Sequence, residues 1–469
     1  MDVSQLDLAR LQFAMTSIYH FFFVPVTIGT GVLVAVLHTQ WYRTGNPEYR
    51  RLTRFFGGLL LLSVAVGVVT GLVQEFQFGM DWSAYSKFVG DVFGAPLAME
   101  GLAAFFLEST FLGVWVFGWR VLPRGVHLAS AWAVALGGCL SALFIVAANS
   151  WMQNPVGYTL NPTTQAPQLS SIADIFTNPV FLPAYLHVIV AALLYGSTVM
   201  LAVSAWHLRH GSDVSLFHRT AKIGIWVLLV TSILQFRVGG VLGQEITKVQ
   251  PMKVASMEAS WNTCQPCSFS LFQIGGWTAD DPPTKIIEIP HLLSILATGD
   301  PQGQVLGINQ VQQQEAAAHP QNGDIQYYPN VFVQYWSLRA MAYFAGIAAL
   351  LGLWGVFLLW RRKLDSARLF QRVASWAVLI PFVMGTGGWI LTENGRQPWI
   401  VQGLMLTKDG LSTSVSAAEV AISLVLFFLL YSVIGIIALV LMLRHVRSAP
   451  EPDDADADDV GDRVPELTY

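Results

Sequence analysis

Charged residues are scarce in this sequence. Asp, Glu, Lys and Arg make up only 12% of its 469 residues, whereas 54% are hydrophobic. Soluble globular domains carry about 25% charged residues, so the composition excludes an ordinary soluble protein. The net charge of −4 gives no sign of a nucleic-acid partner. The composition is that of an integral membrane protein, surrounded by membrane lipid.

Several common sequence signatures are also missing. Three cysteines are too few for a disulfide framework. The opening residues, MDVSQLDLAR, lack the basic start and cleavage site of a signal peptide, so we expect the first apolar segment to stay in the membrane. No GxGxxG or Walker pattern and no repeat of solenoid period is visible. Neither nucleotide binding nor a repeat architecture is therefore indicated.

Long apolar segments, in contrast, are abundant. A helix needs about 20 mainly apolar residues to cross about 30 Å of hydrocarbon. The segments that meet this requirement lie at about 12–38, 54–78, 93–119, 127–150, 180–207, 220–238, 331–360, 373–393 and 417–443. They predict an all-α polytopic membrane protein with nine transmembrane helices.

Basic residues predict the orientation of these helices, because Lys and Arg concentrate in short cytoplasmic loops. They cluster in alternate connections, at 43–51, 120–124, 209–222, 361–372 and 444–447. We therefore predict a multi-pass protein of the cell membrane, with its amino terminus outside the cytoplasm and its carboxy terminus inside.

The sequence divides the chain into four parts. Residues 1–238 hold predicted helices 1–6, residues 239–330 form a long extracytoplasmic loop between helices 6 and 7, and residues 331–446 hold helices 7–9. The loop exceeds the about 12–15 residues of ordinary structureless connections, so we expect it to be functional. Residues 447–469 form an acidic cytoplasmic tail, which we expect to be solvated and disordered. Its acidic run is Glu451, Asp453, Asp454, Asp456, Asp458 and Asp459.

Two of the cysteines, Cys264 and Cys267, form a CxxC pair in the predicted loop. Such a pair can be a structural disulfide, a redox-active dithiol or half of a metal site. No second pair completes a zinc site, and disulfides persist outside the cytoplasm, so we favour a disulfide that closes a tight turn. Cys139 lies in the predicted fourth helix, where we expect it to serve packing.

Five potential metal ligands lie in the outer halves of different predicted helices. At about 1.5 Å per residue, they share a slab on the order of 15 Å thick. This common depth favours several metal centres held between helices. Each residue alone has a simpler interpretation, because a histidine can hydrogen-bond across helices, a methionine can fill a gap and a glutamate can end a helix. The five residues are His20, Glu100, His187, Met341 and Glu393.

Glu108 lies in the same predicted helix as Glu100. In a regular α-helix it is about 12 Å deeper and about 80° further around the axis. Two glutamates that descend through one apolar helix favour a proton relay. A carboxyl group kept neutral by burial and a hydrogen bond gives the same pattern, so the spacing leaves both interpretations open.

These residues belong to an ordered set of motifs that resembles subunit I of the cytochrome bd-type terminal quinol oxidases. The resemblance covers essentially the whole membrane portion and implies a nine-helix subunit with its amino terminus outside. The compact loop resembles the short-loop branch of the family, whose general pattern does not include the CxxC pair. The motifs are RLQFAMTSIYHFFFVPVTIG, MEGLAAFFLEST, QPMKVASMEASW, WSLRAM and GWILTENGRQPW.

The resemblance also implies cofactors and their ligands. His187 and Met341 match the axial ligands of a low-spin haem b. His20, Glu100 and Glu393 match the ligands of two high-spin centres, a second haem b and the haem d that reduces oxygen. Which of the two high-spin haems takes which ligand stays open.

Four further residues acquire roles from the same resemblance. Arg339 and Arg396 become partners for haem propionates or for buried carboxylates, since guanidinium groups bind carboxylates bidentately. Lys253 and Glu258 match the positions of the family's quinol-binding loop that are implicated in quinol binding and oxidation.

The implied activity is that of a quinol:oxygen oxidoreductase. Menaquinol or ubiquinol would be oxidised at the outer face, and O2 would be reduced to water with protons taken from inside through Glu108. A proton motive force would arise without pumping. The family's heterodimer implies a partner, subunit II, and a small single-helix subunit often joins the pair.

Two other functions stay open from the sequence. A cyanide-insensitive quinol oxidase of the same family lacks haem d. A proton-coupled secondary transporter would use Glu100 and Glu108 as proton sites, although the inverted repeats and broken helices common in transporters are not found in the sequence. A haem-copper oxidase is disfavoured because the paired histidines that copper needs are absent.

Overall fold

The computed structural model describes residues 4–451. Within this range, nine helical stretches are long and apolar enough to cross a membrane, which confirms the predicted all-α polytopic fold. We number them spans 1 to 9. Their bounds are Gln5–Thr44, Pro47–Met80, Ser83–Arg120, Arg124–Gln153, Phe181–His210, Val214–Val249, Val331–Trp360, Arg368–Asn394 and Ala417–Arg447. The part of the predicted acidic tail that follows residue 451 lies outside the described residues.

Local sequence signals set the ends of several spans. Span 1 is followed by Gly45, whose φ of 65° is a left-handed conformation that glycine adopts without strain. Asn46 then accepts a hydrogen bond from the Glu48 backbone N–H and caps span 2. Span 9 begins with a capping box, in which Ser416 and Glu419 each accept a hydrogen bond from the other's backbone. The chain can therefore turn from span 1 into span 2 within a few residues, and the backbone groups named here at the ends of these spans are hydrogen-bonded.

Two spans depart from a regular α-helix. Span 3 contains a π-helical segment, Glu100–Phe105. Span 8 consists of two helices, Arg368–Ala374 and Leu379–Asn394, joined by turn residues. Pro381 has no N–H, and in a continuous helix its ring would clash with the carbonyl group of Ala377, which accounts for the interruption. The expectation of unbroken helices is therefore wrong for span 8.

Contacts between connections show which of them lie at the same end of the helix bundle. At one end, the Gln402 backbone N–H donates to the carbonyl oxygen of Met152 at 2.9 Å. At the other end, Arg219 Nε lies 2.6 Å from Glu48 Oε2, so two basic connections meet there. This alternation agrees with the predicted topology. We name the first end the loop end; it carries the connections 154–180, 250–330 and 395–416.

The connection between spans 6 and 7 is a folded unit. Span 6 continues past its predicted end at 238 to Val249, so this connection is shorter than predicted. Cys264 and Cys267 form a disulfide, as predicted, and the Cys264 backbone pairs with that of Val305. The ordered elements of the connection are helices Pro251–Met257, Leu292–Thr298 and Ile308–Ala318 and antiparallel strands Phe269–Ile274 and Thr284–Ile289. Shorter hairpins in the neighbouring connections pair Tyr158–Leu160 with Pro167–Leu169 and Trp399–Val401 with Met405–Leu406.

Spans 1 and 5 touch at glycine residues. A Cβ atom on Gly29 would overlap the carbonyl oxygen of Ala192, and a Cβ atom on Gly196 would overlap the carbonyl group of Gly29. Lipid tails are as apolar as leucine, so helices in a membrane associate through such close van der Waals packing. This contact fixes span 1, which carries His20, against span 5, which carries His187.

Gly196→Ala should therefore destabilise the protein. The added methyl group overlaps the backbone of span 1, and overpacking of this kind costs about 1–3 kcal/mol. Gly346→Ala in span 7 is the matched control, because a Cβ atom on Gly346 meets nothing within 4 Å. We expect thermal unfolding in detergent, followed by circular dichroism, to show a lower midpoint for Gly196→Ala alone. Equal midpoints for the two variants would contradict this account of the contact.

Candidate functional site

His20 lies in span 1 and faces span 2. Its Nδ1 atom is 2.9 Å from Thr70 Oγ1, and the Thr70 hydroxyl donates to the carbonyl oxygen of Val66 at 2.8 Å. Because the hydroxyl has only one proton to donate, it accepts from His20, whose proton is then on Nδ1. The tautomer leaves the Nε2 lone pair of His20 available to a metal.

His187 lies in span 5 and faces span 6. The side-chain amide nitrogen of Gln235 is 3.0 Å from its Nε2 atom. A Cβ atom on Gly239 would lie 3.1 Å from its Cε1 atom. The ring is therefore held by an amide and by a close helix backbone.

Met341 lies in span 7 and faces span 8. A Cβ atom on Gly388 would lie 3.2 Å from the Met341 sulfur, and a Cβ atom on Gly387 would lie 2.9 Å from the carbonyl oxygen of Ser337. The two glycines let span 8 come close to span 7. The neighbours of Met341 are thus on span 8, whereas those of His187 are on span 6.

A glycine on the neighbouring span accompanies each of these three side chains. Gly239 and Gly388 lie beside His187 and Met341, and a Cβ atom on Gly71 would lie 3.1 Å from Cε1 of His20. Imidazole and thioether groups are common axial ligands of haem iron. The donor atoms and their small neighbours fit haem groups held between the helices.

Glu393 ends span 8 in a network of buried polar side chains. Its carboxylate forms an ion pair with Arg396 and accepts a hydrogen bond from Asn149 Nδ2 at 3.0 Å. Gln153 Nε2 donates to Asn149 Oδ1 at 2.8 Å, and Lys253 Nζ donates to Gln153 Oε1 at 2.8 Å. A continuous chain of side-chain hydrogen bonds therefore joins Lys253 in the loop to Glu393 in span 8.

Arg396 holds more donor groups than this network uses. Its side chain is buried, and Nε and Nη1 have no hydrogen-bond partner among residues 4–451. Unpartnered buried donors are rare in proteins, and guanidinium groups suit carboxylates. Burial, together with the charge of Arg396, lowers the pKa of the neighbouring Lys253 to about 7. This corner of the site therefore favours an anionic or hydrogen-bond-accepting ligand.

Arg339 in span 7 holds Glu258. Its Nη2 atom is 2.9 Å from Glu258 Oε2, and the side chains of both residues are 1% exposed. Arg339 also donates to the carbonyl oxygens of Met257 and Ser270. Burial raises the pKa of Glu258, and the charge of Arg339 opposes this rise. For both predicted arginines, the partner seen in the structure is a carboxylate, and that of Arg339 is buried.

Lys253 and Glu258 lie in different surroundings. The short helix that carries Lys253 ends at Met257, and Glu258 follows as its C-cap with a right-handed backbone conformation. Lys253 contacts the end of span 4 through Gln153, whereas Glu258 contacts span 7 through Arg339. A ligand that touches both side chains must therefore lie between spans 4 and 7.

Glu100 and Glu108 both face span 4. Ser141 Oγ donates to Glu100 Oε1 at 2.7 Å. A Cβ atom on Gly137 would lie 2.8 Å from the Cβ atom of Glu108. The π-helical segment Glu100–Phe105 lies between the two glutamates, and its hydrogen bonds join residues i and i+5. The angle of about 80° expected from α-helical geometry therefore does not apply, and the two carboxyl groups line one helix interface.

Sequence reasoning missed the polar partners of these side chains. Thr70, Ser141 and Gln235 are uncharged residues inside apolar helices, where such residues commonly bond to neighbouring helices. Asn149 and Gln153 gave one usable signal, because their spacing of i and i+4 places them on the same helix face. Nothing in that spacing indicated Lys253 or Glu393 as their partners.

Comparison with known proteins gives the family to which the chain is similar. The family model described as cytochrome bd terminal oxidase subunit I matches residues 8–450. Cytochrome bd ubiquinol oxidase subunit 1 of Bacillus subtilis (strain 168) is 37% identical over 453 residues, which cover 96% of this chain and 96% of that protein. Cytochrome bd-II ubiquinol oxidase subunit 1 of Escherichia coli (strain K12) is 34% identical, with 95% of this chain and 97% of that protein covered.

A solved structure gives the same result for the fold. The bd oxidase from Geobacillus thermodenitrificans contains a chain that matches this one with a TM-score of 0.86 and 26% identity. The match covers 95% of this chain and 98% of that chain. The nine spans, the family match over nearly the whole chain and the two identities above 30% lead to one conclusion. The chain belongs to the cytochrome bd terminal oxidase subunit I family.

Proposed function

We propose that this chain is the haem-containing subunit of a membrane-bound quinol:oxygen oxidoreductase, which oxidises quinol and reduces O2 to water. Two relatives that align over nearly their whole length are named as ubiquinol oxidase subunits, which supports the activity. The observation that carries the proposal is the glycine beside each of His20, His187 and Met341. Each glycine lets a neighbouring helix backbone pack against an imidazole or a thioether, the two groups that commonly bind haem iron axially.

The proposed cofactors are two haems b, one low-spin and one high-spin, and one haem d. His187 and Met341 would hold the low-spin haem b. His20, Glu100 and Glu393 would hold the two high-spin centres. When bound, the haems supply electron transfer and the iron at which oxygen is reduced.

Residues around the ligands would fix their orientation. Thr70 sets the tautomer of His20, and Asn149 and Arg396 hold the two oxygens of the Glu393 carboxylate. Outer partners of this kind orient metal ligands and tune their basicity. Two nitrogens of Arg396, Nε and Nη1, have no hydrogen-bond partner in the part of the chain that the structure describes, and they would bind a haem propionate or another carboxylate.

We assign quinol oxidation, of menaquinol or ubiquinol, to the connection between spans 6 and 7. Quinol loses two protons with its two electrons, so a carboxylate within hydrogen-bond reach of a hydroxyl group can act as general base. Glu258 is the proposed base, because burial raises its pKa towards the working pH. Lys253, whose pKa is lowered to about 7, would hydrogen-bond a quinol oxygen.

Protons for water formation would enter through span 3. We place the loop end and the amino terminus outside the cytoplasm and the basic connections inside. Glu108 would pass protons from the cytoplasmic side towards Glu100, which Ser141 holds. Release of quinol protons on one face and uptake on the other would generate a proton motive force without pumping.

A heterodimer is the proposed working form. Two relatives are named as subunit 1 of their oxidases, which supports a partner, subunit II. A small single-helix subunit would complete the complex. Span 9 exposes an apolar face, which lipid or a subunit would cover, and Ile422, Val425, Leu426 and Leu429 lie on it.

The low-spin centre gives the first test of this proposal. Met341→Leu removes the sulfur but keeps the size of the side chain, so the low-spin optical band should be lost or converted to a high-spin band. Met384→Leu is the control, because Met384 is a buried methionine in span 8 that is not a proposed ligand. Reduced-minus-oxidised spectra measure the outcome. An unchanged band and potential in Met341→Leu would remove Met341 as a ligand.

Proton uptake gives the second test. Glu108→Gln removes the ionisable group, and we expect oxygen reduction to slow on the order of tenfold or more. Charge movement in reconstituted vesicles should slow in parallel, while the haem content stays intact. Oxygen consumption and a membrane-potential dye measure the two effects. Turnover at the wild-type rate would reject the relay.

The quinol site gives the third test. Glu258→Gln keeps the shape but removes the base, so quinol-driven turnover should fall on the order of 100-fold. Haem spectra and direct reduction by dithionite should be unaffected. Glu288→Gln is the control, because Glu288 is an exposed carboxylate of the same connection. Normal quinol oxidation in Glu258→Gln, or loss of its haem, would show that Glu258 is not the base.

A further inference from the structure

A small polar cavity lies beside Lys253. Its volume is about 10 Å³, which is room for about one water molecule. Gln250 Oε1 and two N–H groups of Arg396 have no hydrogen-bond partner among the described residues, although both residues are buried. The polar residues that line the cavity include Gln250, Lys253, Glu315, Tyr327, Arg396 and Trp399.

Glu315 supplies the carboxylate of this cavity. It lies in helix Ile308–Ala318, and its carboxylate lines the cavity together with Trp399. Its Oε2 atom is 3.7 Å from Nε2 of His319, one helical turn later. The Glu315 side chain is 18% exposed and that of His319 is 20% exposed. The pair therefore connects the buried cavity with the surface of the loop end.

Glu258 has no comparable connection. Its side chain is 1% exposed, and its ion-pair partner is Arg339. A guanidinium group offers donors but no acceptor, so Arg339 cannot take a proton from Glu258. A proton that reaches the cavity beside Lys253, in contrast, meets a carboxylate with a half-buried histidine next to it.

We propose that Glu315 and His319 form the exit through which protons from quinol reach the outer surface. This inference rests on the proposed quinol site at Lys253. Glu258 takes one of the two quinol protons as the proposed base. The other proton leaves its hydroxyl group for the Glu315 carboxylate, moves to Nε2 of His319 and is released to water. Glu315 and His319 then regain their starting charges. The two electrons of quinol leave by the redox route of the proposed oxidase and pass through neither residue.

The charges around Glu315 suit this role. Burial raises its pKa, whereas His319 and the Trp399 indole oppose the rise. Lys253 from the preceding helix and Arg396 from the turn after span 8 face the same cavity. Because Glu315 accepts protons only as a carboxylate, quinol-driven turnover should rise with pH through the pKa of Glu315 and then level off.

Glu315→Gln in the assembled oxidase tests the exit. We expect kcat with quinol to fall on the order of tenfold or more, and KM to change less. The increase of kcat with pH on the acid side of the profile should be lost. Proton release outside reconstituted vesicles, followed with an external pH dye, should slow equally. Haem spectra and reduction by dithionite should stay normal. Glu288→Gln is again the control, and Glu315→Asp should recover part of the rate.

The variants separate failure of the exit from failure of the quinol site. Wild-type kcat and pH profile in Glu315→Gln, with Glu258→Gln inactive, would overturn the exit alone. Normal quinol turnover in both Glu258→Gln and Lys253→Met would overturn the proposed quinol site. If Glu315→Gln loses haem, the His319→Gln variant provides the test instead. A His319→Gln protein that keeps its haem but has a reduced kcat and an altered pH profile supports the exit. Wild-type kinetics in that variant would overturn it.

Discussion

Removing an ionised side chain from water costs several kcal/mol unless a partner compensates for it. Two ion pairs at the loop end meet this constraint. Glu258 and Arg339 are both buried, and the buried Arg396 pairs with Glu393, whose side chain is 36% exposed. Arg339 lies in the same helix as Met341, so its bond to Glu258 fixes the loop to span 7. Loss of one partner would leave a buried charge uncompensated. The position of the loop is thereby coupled to the helices that carry the proposed haem ligands.

Glycine permits two kinds of close contact in this bundle. At Gly29 and Gly196 the missing side chain lets two helix backbones touch, which sets the distance between spans 1 and 5. At Gly71, Gly239 and Gly388 it lets a helix backbone pack against an imidazole or a thioether. The first contact fixes two helices against each other, and the second fixes a donor side chain against a neighbouring helix. A haem site between helices needs both, because neither the ligands nor their helices can be free to move.

The nine spans could be predicted from the sequence because each has a local signal, the length of its apolar segment. The predicted orientation came from a second local signal, the basic residues in alternate connections. The course of span 6 beyond 238 was not predictable in this way, since Gln244 and Glu245 end the apolar pattern while the helix continues. Pro381 is a local signal for the break in span 8. The apolar segment around it is nevertheless long enough to predict one continuous helix. Partners such as Gln153 and Lys253 are 100 residues apart, so only the tertiary fold brings them together. The direction of Glu258, away from Lys253, in contrast agrees with simple helix geometry, because five residues turn a helix to about 140° from its starting direction.

The hydrogen bonds between Lys253 and Glu393 share one direction. Lys253 donates to Gln153, Gln153 to Asn149 and Asn149 to the carboxylate, so a cation stands at one end of the chain and an anion at the other. Each amide uses its oxygen towards Lys253 and its nitrogen towards Glu393, and reversing one amide would break two bonds. Aligned dipoles of this kind stabilise the negative charge on Glu393 and strengthen one another in a medium of low dielectric constant. The end of span 4 therefore acts as a fixed link between the quinol loop and the carboxylate of span 8, so neither side chain can move independently of the other.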